Sequence, residues 1–302
     1  MTTQIATQPS RAAVPEADMA RSAATSADGT TIGYRHVGRG PGLILLHGSM
    51  SSGANHVELA RLLGDSFSVF VPDRRGRGLS RPYRGLGDLD QELEDLAALR
   101  EATGADLIWG LSSGAAIALQ AARTTSGIRK IALFEPPLVQ DRTAVTALLR
   151  RFDAEMAAGH VEKAMITAMR GAEMGPAWFR ALPQRFTSKL VAMGMAAEAK
   201  KPTGPYPAMG TLAPTLHADF AVIAESSGRL DDHRSIEIPV LLMGGSKSQA
   251  YLKRSLDDLE RTLPNASRVE LPGLDHAASW NADLGGHPEA VAQELRAFMT
   301  RS

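Results

Sequence analysis

From Gly29 onward the chain alternates short, continuously apolar runs with longer stretches of helical periodicity, and few folds accommodate that order. A run such as Gly42–Leu46 (GLILL) has no polar face to offer water, so both of its faces must be covered. A mainly parallel sheet whose strands are joined by crossover helices meets that condition. Further runs of this kind are 67–72, 106–111 (DLIWGL), Lys130–Phe134 (KIALF), 239–244 (PVLLMG) and 267–271. Thr31–Val37, ahead of the Gly38, Gly40 and Gly42 turn, is expected as an edge strand. The segment 88–103 sets Leu89, Leu93, Leu96 and Leu99 at helical spacing beneath an acidic polar face. Segment 113–123 reads as a small-residue helix, and 250–263 and 288–301 supply two more helical segments.

The 302 residues suffice for one large core carrying an insertion. Over 138–234 the strand pattern gives way to methionine- and alanine-rich amphipathic segments punctuated by Pro183, Pro202, Pro205 and Pro207, which are expected to form an inserted helical lid. Met156, Met165, Met169, Met174, Met193 and Met195 would fill that lid or face an apolar pocket. The core would then fall into two parts, 26–137 and 235–302. Residues 1–25, rich in Ala, Thr, Ser and Pro, are expected to be a disordered tail. Nothing repeats at a fixed period.

Lysine plus arginine and aspartate plus glutamate both number 33, so no global field draws the chain to nucleic acid or to a membrane surface. No stretch approaches the roughly 18 consecutive apolar residues of a membrane span, and a cytoplasmic protein acting on a small molecule is the expectation. Absence of cysteine removes thiolate metal sites and a cysteine nucleophile, leaving oxygen or nitrogen for any covalent chemistry.

Gly110-Leu111-Ser112-Ser113-Gly114 lies directly between an expected strand and an expected helix. A serine on so sharp a turn needs small neighbours two residues to either side, because the flanking backbone packs closely. The bend would lift the Ser112 hydroxyl clear of the sheet and leave the Ser113 N–H at a helix N-terminus, where it can stabilise an oxyanion. Among eight histidines, His276 lies a few residues beyond the last strand, after a Pro-Gly turn able to send it back over the strand ends. His287, the other C-terminal histidine, precedes Pro288 at a helix start. Gly38, Gly40 and Gly42 lead into a strand instead of linking strand to helix, so no dinucleotide site is expected.

Together with LLHG (residues 45–48), PDRRGRGLS (72–80) and LPGLDHAASW (271–280), this motif resembles the α/β-hydrolase family, and the likeness runs from about Gly29 to the C-terminus. The resemblance implies the α/β-hydrolase fold, a Ser112 nucleophile, a His276 base, and an oxyanion hole made by the N–H groups of Ser49 and Ser113. His47 would be structural. Asp73, Arg74, Arg75 and Arg77 are expected to form an ion-paired structural turn.

The commonest family pattern puts an aspartate just past the strand PVLLMG, and this chain reads Gly244-Gly245-Ser246-Lys247-Ser248 there. Haloalkane dehalogenases of the same fold carry their acid one strand earlier, where this chain has Glu135 in LFEPP, so the resemblance makes Glu135 the triad acid. Asp275 beside the histidine, or a dyad assisted by Ser248, are the alternatives. The implied function is hydrolysis of a small to medium ester, lactone or thioester through an acyl-enzyme, with no cofactor. Carbon-carbon bond hydrolysis, cofactor-free haloperoxidation, acyl transfer to an alcohol, and ligand binding without turnover remain open at this level.

Overall fold

The computed structural model describes residues 19–174, 182–200 and 204–301. In chain order the elements are β1 (Ala20–Thr25), β2 (Thr31–Val37), β3 (Gly42–Leu46), α1 (Val57–Leu63), β4 (Ser68–Pro72), α2 (Leu89–Thr103), β5 (Leu107–Leu111), α3 (Ser113–Thr124) and β6 (Lys130–Phe134). Then follow α4 (Thr143–Ala157), α5 (Val161–Gly171), α6 (Gln184–Glu198), α7 (Met209–Leu212), α8 (Leu216–Ser226), β7 (Val240–Gly245), α9 (Ala250–Thr262), β8 (Ala266–Leu271) and α10 (Pro288–Met299). The strands form one sheet in the order β1-β2-β4-β3-β5-β6-β7-β8. β1, β2 and β4 pair antiparallel, and every later pairing is parallel.

Continuous apolarity of the central strands follows from a core on each face. Alternate residues of one strand feed opposite cores: Ile44, Leu46 and Ile108 face α2, α3 and α9, while Leu43, Leu45, Leu107 and Trp109 face α1 and α10. Helix boundaries follow local chemistry. Asp88 caps α2 by accepting the Gln91 N–H at 2.9 Å, and Gly104, at φ 67°, ends it.

Two expectations are corrected. Residues 1–25 were expected to be a disordered tail, but Ala20–Thr25 pairs with Thr31–Val37 from Ala20↔His36 to Thr25↔Thr31. β2 is therefore interior and β1 is the edge. Composition misleads here because Ala, Ser and Thr contribute little side-chain burial, while the ladder is made by backbone groups that composition does not register. Residues 1–18 of the expected tail lie outside the described residues.

Between β6 and β7 the described residues form helices and no strand. They have an apolar centre of their own, in which Phe152 and Phe220 meet edge-on at 5.5 Å beside Met165, Leu216 and Ala164. Met156 and Met195 pack against it, whereas Met174 and Met193, expected to fill the lid or face an apolar pocket, are exposed. No helix among the described residues is long and apolar enough to cross a membrane.

The turn after β4 ties these layers together. Arg75, fully buried, donates to both oxygens of Asp95 on α2 at 2.7 Å and to Asp28 in the β1–β2 turn at 2.6 Å. Removing one member of a buried pair leaves its partner's charge uncompensated. Arg75→Met should accordingly lower the unfolding free energy by about 3 kcal/mol, as a fall in the urea midpoint at unchanged slope; a midpoint within error of the parent would contradict it.

Candidate active site

Ser112 follows the last residue of β5 and sits at φ 56°, ψ −120°, a conformation that costs a non-glycine residue energy and persists only when its surroundings impose it. Its N–H donates to Phe134 O at 2.9 Å, and its carbonyl accepts from Ala115 and Ala116 at 2.9 and 3.1 Å, so strand and helix grip it from both sides. A Cβ on Gly110 would lie 2.4 Å from Gly114 O, and one on Gly114 would lie 2.5 Å from Leu46 O. Both contacts are with backbone, which cannot yield. The hydroxyl-bearing residue is half-buried.

Beside it runs the loop after β3. The Arg74 N–H donates to His47 Nε2 at 3.0 Å, which leaves the ring proton on Nδ1 to donate to Gly48 O at 2.8 Å. Ser51 Oγ donates to the same carbonyl at 2.9 Å. Burial, then the neighbouring Arg77 and Arg74, hold the His47 imidazole well below the usual histidine range, so it stays neutral. In a trans peptide the N–H points opposite to the carbonyl, so pinning Gly48 O aims the Ser49 N–H away from the His47 ring. The Ser49 and Ser113 hydroxyls are 3.3 Å apart, which sets these residues side by side. Among the described residues no hydrogen bond occupies either N–H.

His276 arrives on the loop after β8. That loop turns at Gly273 (φ 75°) and is stitched to the end of β7 by Gly273 N–H to Ser246 Oγ at 2.7 Å and Lys247 N–H to Leu274 O at 2.8 Å. His276 Nδ1 lies 2.6 Å from Glu135 Oε2. Glu135 is fully buried just past β6, with its other oxygen accepting the Gly245 N–H at 2.6 Å. A Cβ on Gly244 would lie 3.0 Å from Glu135 Oε1, so a strand end without side chains lets this carboxylate reach over β7.

The remaining candidates separate. Asp275 turns back to its own backbone, accepting the Ala277 N–H at 3.0 Å. Ser248 Oγ is buried with no partner among the described residues, and His287 is exposed at the start of α10. Ser112 Oγ makes no hydrogen bond to His276 among the described residues. No group of three or more His, Asp or Glu residues there could hold a metal ion.

Beneath the serine lies a network that sequence reading saw only in part. The expected ion-paired turn is present, and Asp73 accepts Arg35 at 2.8 Å and the Gly53 N–H at 2.7 Å. The other partners were not foreseen. Arg74 donates to both oxygens of Glu92 on α2 at 3.0 and 2.7 Å and to Asp219 on α8 at 2.7 Å, while Arg77 reaches the second oxygen of Asp219 at 2.6 Å. The acidic face of α2 was the available signal, since buried arginines require anions. Asp219, in a helical stretch remote in sequence, gave none.

Comparison with known proteins bears on the family and the fold. A family model described as "Alpha/beta hydrolase family" matches residues 43–294. The structure is similar to that of an alpha/beta hydrolase from Sphaerobacter thermophilus DSM 20745, with 32% identity and a TM-score of 0.74, covering 92% of this chain and 100% of that one. The enol-lactonase from Burkholderia xenovorans LB400 is similar in fold, at 18% identity and a TM-score of 0.64 over 93% of this chain and 100% of that one. Over 118 residues the sequence is 36% identical to the N-formylmaleamate deformylase of Pseudomonas putida (strain KT2440), a match spanning 37% of this chain and 44% of that protein.

The loop carrying His276 is also clamped to the sheet by a buried histidine. His56 Nδ1 is 3.0 Å from Ser279 O, and its ring meets Trp109 edge-on at 5.4 Å. Burial lowers the His56 pKa from 6.5 to about 4. A depressed folded-state value means that the unfolded chain binds the proton first, so this stabilisation is full above about pH 6.5 and is lost as pH falls toward 4. The urea midpoint should drop over that window, by the equivalent of about 3 kcal/mol at its foot, with His47 adding in the same direction. His56→Gln should flatten the dependence; an equally steep profile in that variant would contradict the assignment.

Proposed function

Because the chain belongs to the alpha/beta hydrolase family, we propose that it is a serine hydrolase that cleaves a small to medium ester, lactone or thioester through an acyl-enzyme on Ser112. The observation that carries this reading is the 2.6 Å contact between His276 Nδ1 and the buried Glu135 carboxylate, one strand away from the strained Ser112 turn. A proton held on Nδ1 by Glu135 leaves Nε2 with the lone pair a general base needs.

Ser112 Oγ attacks the substrate carbonyl while its proton passes to His276 Nε2, and the carbonyl oxygen takes its negative charge toward the N–H groups of Ser49 and Ser113. Collapse expels the alkoxide, which recovers that proton. Water repeats the sequence on the acyl-enzyme, releasing the acid and restoring Ser112. The Glu135 carboxylate faces the ring throughout and offsets the imidazolium charge. Nucleophile–base hydrogen bonds commonly tighten only on the substrate, so Ser112 Oγ would meet His276 Nε2 in the complex. The helices between β6 and β7 act as the lid over a small, largely apolar acyl compound. Likeness to a deformylase over 118 residues makes an N-formyl amide the first amide to assay.

A fluorophosphonate should label the protein at Ser112 and fail on Ser112→Ala, as read by peptide mass; an unlabelled protein that still binds small acyl ligands would replace this reading with ligand binding. In Glu135→Gln the side-chain amide faces Nδ1 once its oxygen accepts the Gly245 N–H, which enforces the wrong imidazole tautomer. That variant should lose about 10²- to 10⁴-fold in kcat, whereas Ser248→Ala stays near the parent. The reverse ranking would reject Glu135 as the acid and leave a Ser112–His276 dyad assisted by Ser248.

A further inference from the structure

Asp219 is carried by α8, yet its carboxylate ends beneath the serine turn. One oxygen accepts from the Ser113 hydroxyl at 2.8 Å and from Arg74 Nη1 at 2.7 Å, and the other accepts from Arg77 at 2.6 Å. The same Arg74 nitrogen donates to Ser113 Oγ at 2.9 Å, closing a triangle of three side chains. Asp219 and Ser113 are both fully buried. The main-chain N–H of Arg74 holds His47, whose ring fixes the Gly48 carbonyl. From one carboxylate, therefore, the Ser113 peptide is reached through a side chain and the Gly48–Ser49 peptide through Arg74 and His47.

We propose that Asp219 is a positioning residue for oxyanion stabilisation, by which the helical insert sets the two backbone donors that meet the substrate's carbonyl oxygen; this rests on the serine-hydrolase reading above. Charge balance makes the device rigid. Arg74 and Arg77 stand against Asp219 and Glu92, so the cluster is neutral and each guanidinium is committed to a carboxylate. Burial alone would raise the Asp219 pKa, but Arg77 and Arg74 outweigh it and keep the group below the usual carboxylate range. Tyr83 donates its phenolic proton to Glu92 at 2.5 Å, and burial followed by the Glu92 charge holds that phenol in its protonated form. Donors aimed in advance at the developing charge need no reorganisation during the reaction, so freedom in the Ser113 or Ser49 peptide is felt in the transition state and not in the ground state.

Ser113→Ala is the discriminating variant, because it removes only the hydroxyl between Asp219 and the serine turn while every guanidinium–carboxylate pair and both backbone N–H groups remain. With a p-nitrophenyl ester, its kcat should fall about tenfold to a hundredfold with KM nearly unchanged. Inhibition by an alkyl trifluoromethyl ketone, whose hemiketal oxyanion occupies the same donors, should weaken by the same factor. Asp219→Asn, which severs both routes, should lose kcat at least as far as Ser113→Ala, and the double variant should fall no further than Asp219→Asn alone; if Asp219→Asn does not fold, the first variant decides alone. Parent-like kcat and ketone affinity in Ser113→Ala would reduce Asp219 to a structural anchor, as would full additivity in the double variant. A parent protein that neither turns over the ester nor reacts with a fluorophosphonate would overturn the serine-hydrolase reading, and this inference with it.

Discussion

The backbone of Ser112 is the constraint to which the rest of the sheet's C-terminal edge is referred. A positive φ at a non-glycine residue is unfavourable in isolation, so neighbours must hold it. Here the neighbours are main chain: Phe134 O takes its N–H, the first turn of α3 takes its carbonyl, and Gly110 and Gly114 let that helix close against β3 and β5. The strain yields a hydroxyl standing off the sheet with a helix N-terminus immediately behind it.

Around that fixed point the fold delivers a second set of groups by a different route. In a parallel sheet the C-terminal strand ends converge, so Glu135 after β6 and His276 after β8 can meet although 141 residues separate them. Loss of side chains at Gly244 and Gly245 is as much part of this as the carboxylate itself, since the Gly245 N–H supplies one of its hydrogen bonds and the bare Gly244 supplies its room. The turn after β4 performs the complementary task from below, collecting anions from α2, from the β1–β2 turn and from α8 around Arg74, Arg75 and Arg77. The cost of burying so many charges is met only because each has its partner.

Much of this was legible in the letters because it is local. The Ser112 turn, the Pro-Gly turn before His276 and the apolar strands are short-range patterns, and the Glu135 contact followed from resemblance together with the missing carboxylate after Gly244-Gly245. Other features were not legible because they depend on pairing across the chain. β1 is held by a backbone ladder that small polar side chains do not advertise, and its omission made β2 look like an edge. Asp219 looks like one acidic residue among many in a helical segment, and only the fold sets it against Arg74 and Arg77. Arg74, Arg75 and Arg77 announced that anions were needed without saying which.

The central claim is that the Ser112 hydroxyl forms a covalent bond to the substrate's acyl group. Rapid quenching of the protein with an activated ester in the first turnover, followed by peptide mass analysis, tests it most directly. An adduct of the acyl mass on the peptide containing Ser112, formed before the steady state and discharged by water, is the result expected. Turnover without any such adduct, or with the acyl group on another residue, would contradict it.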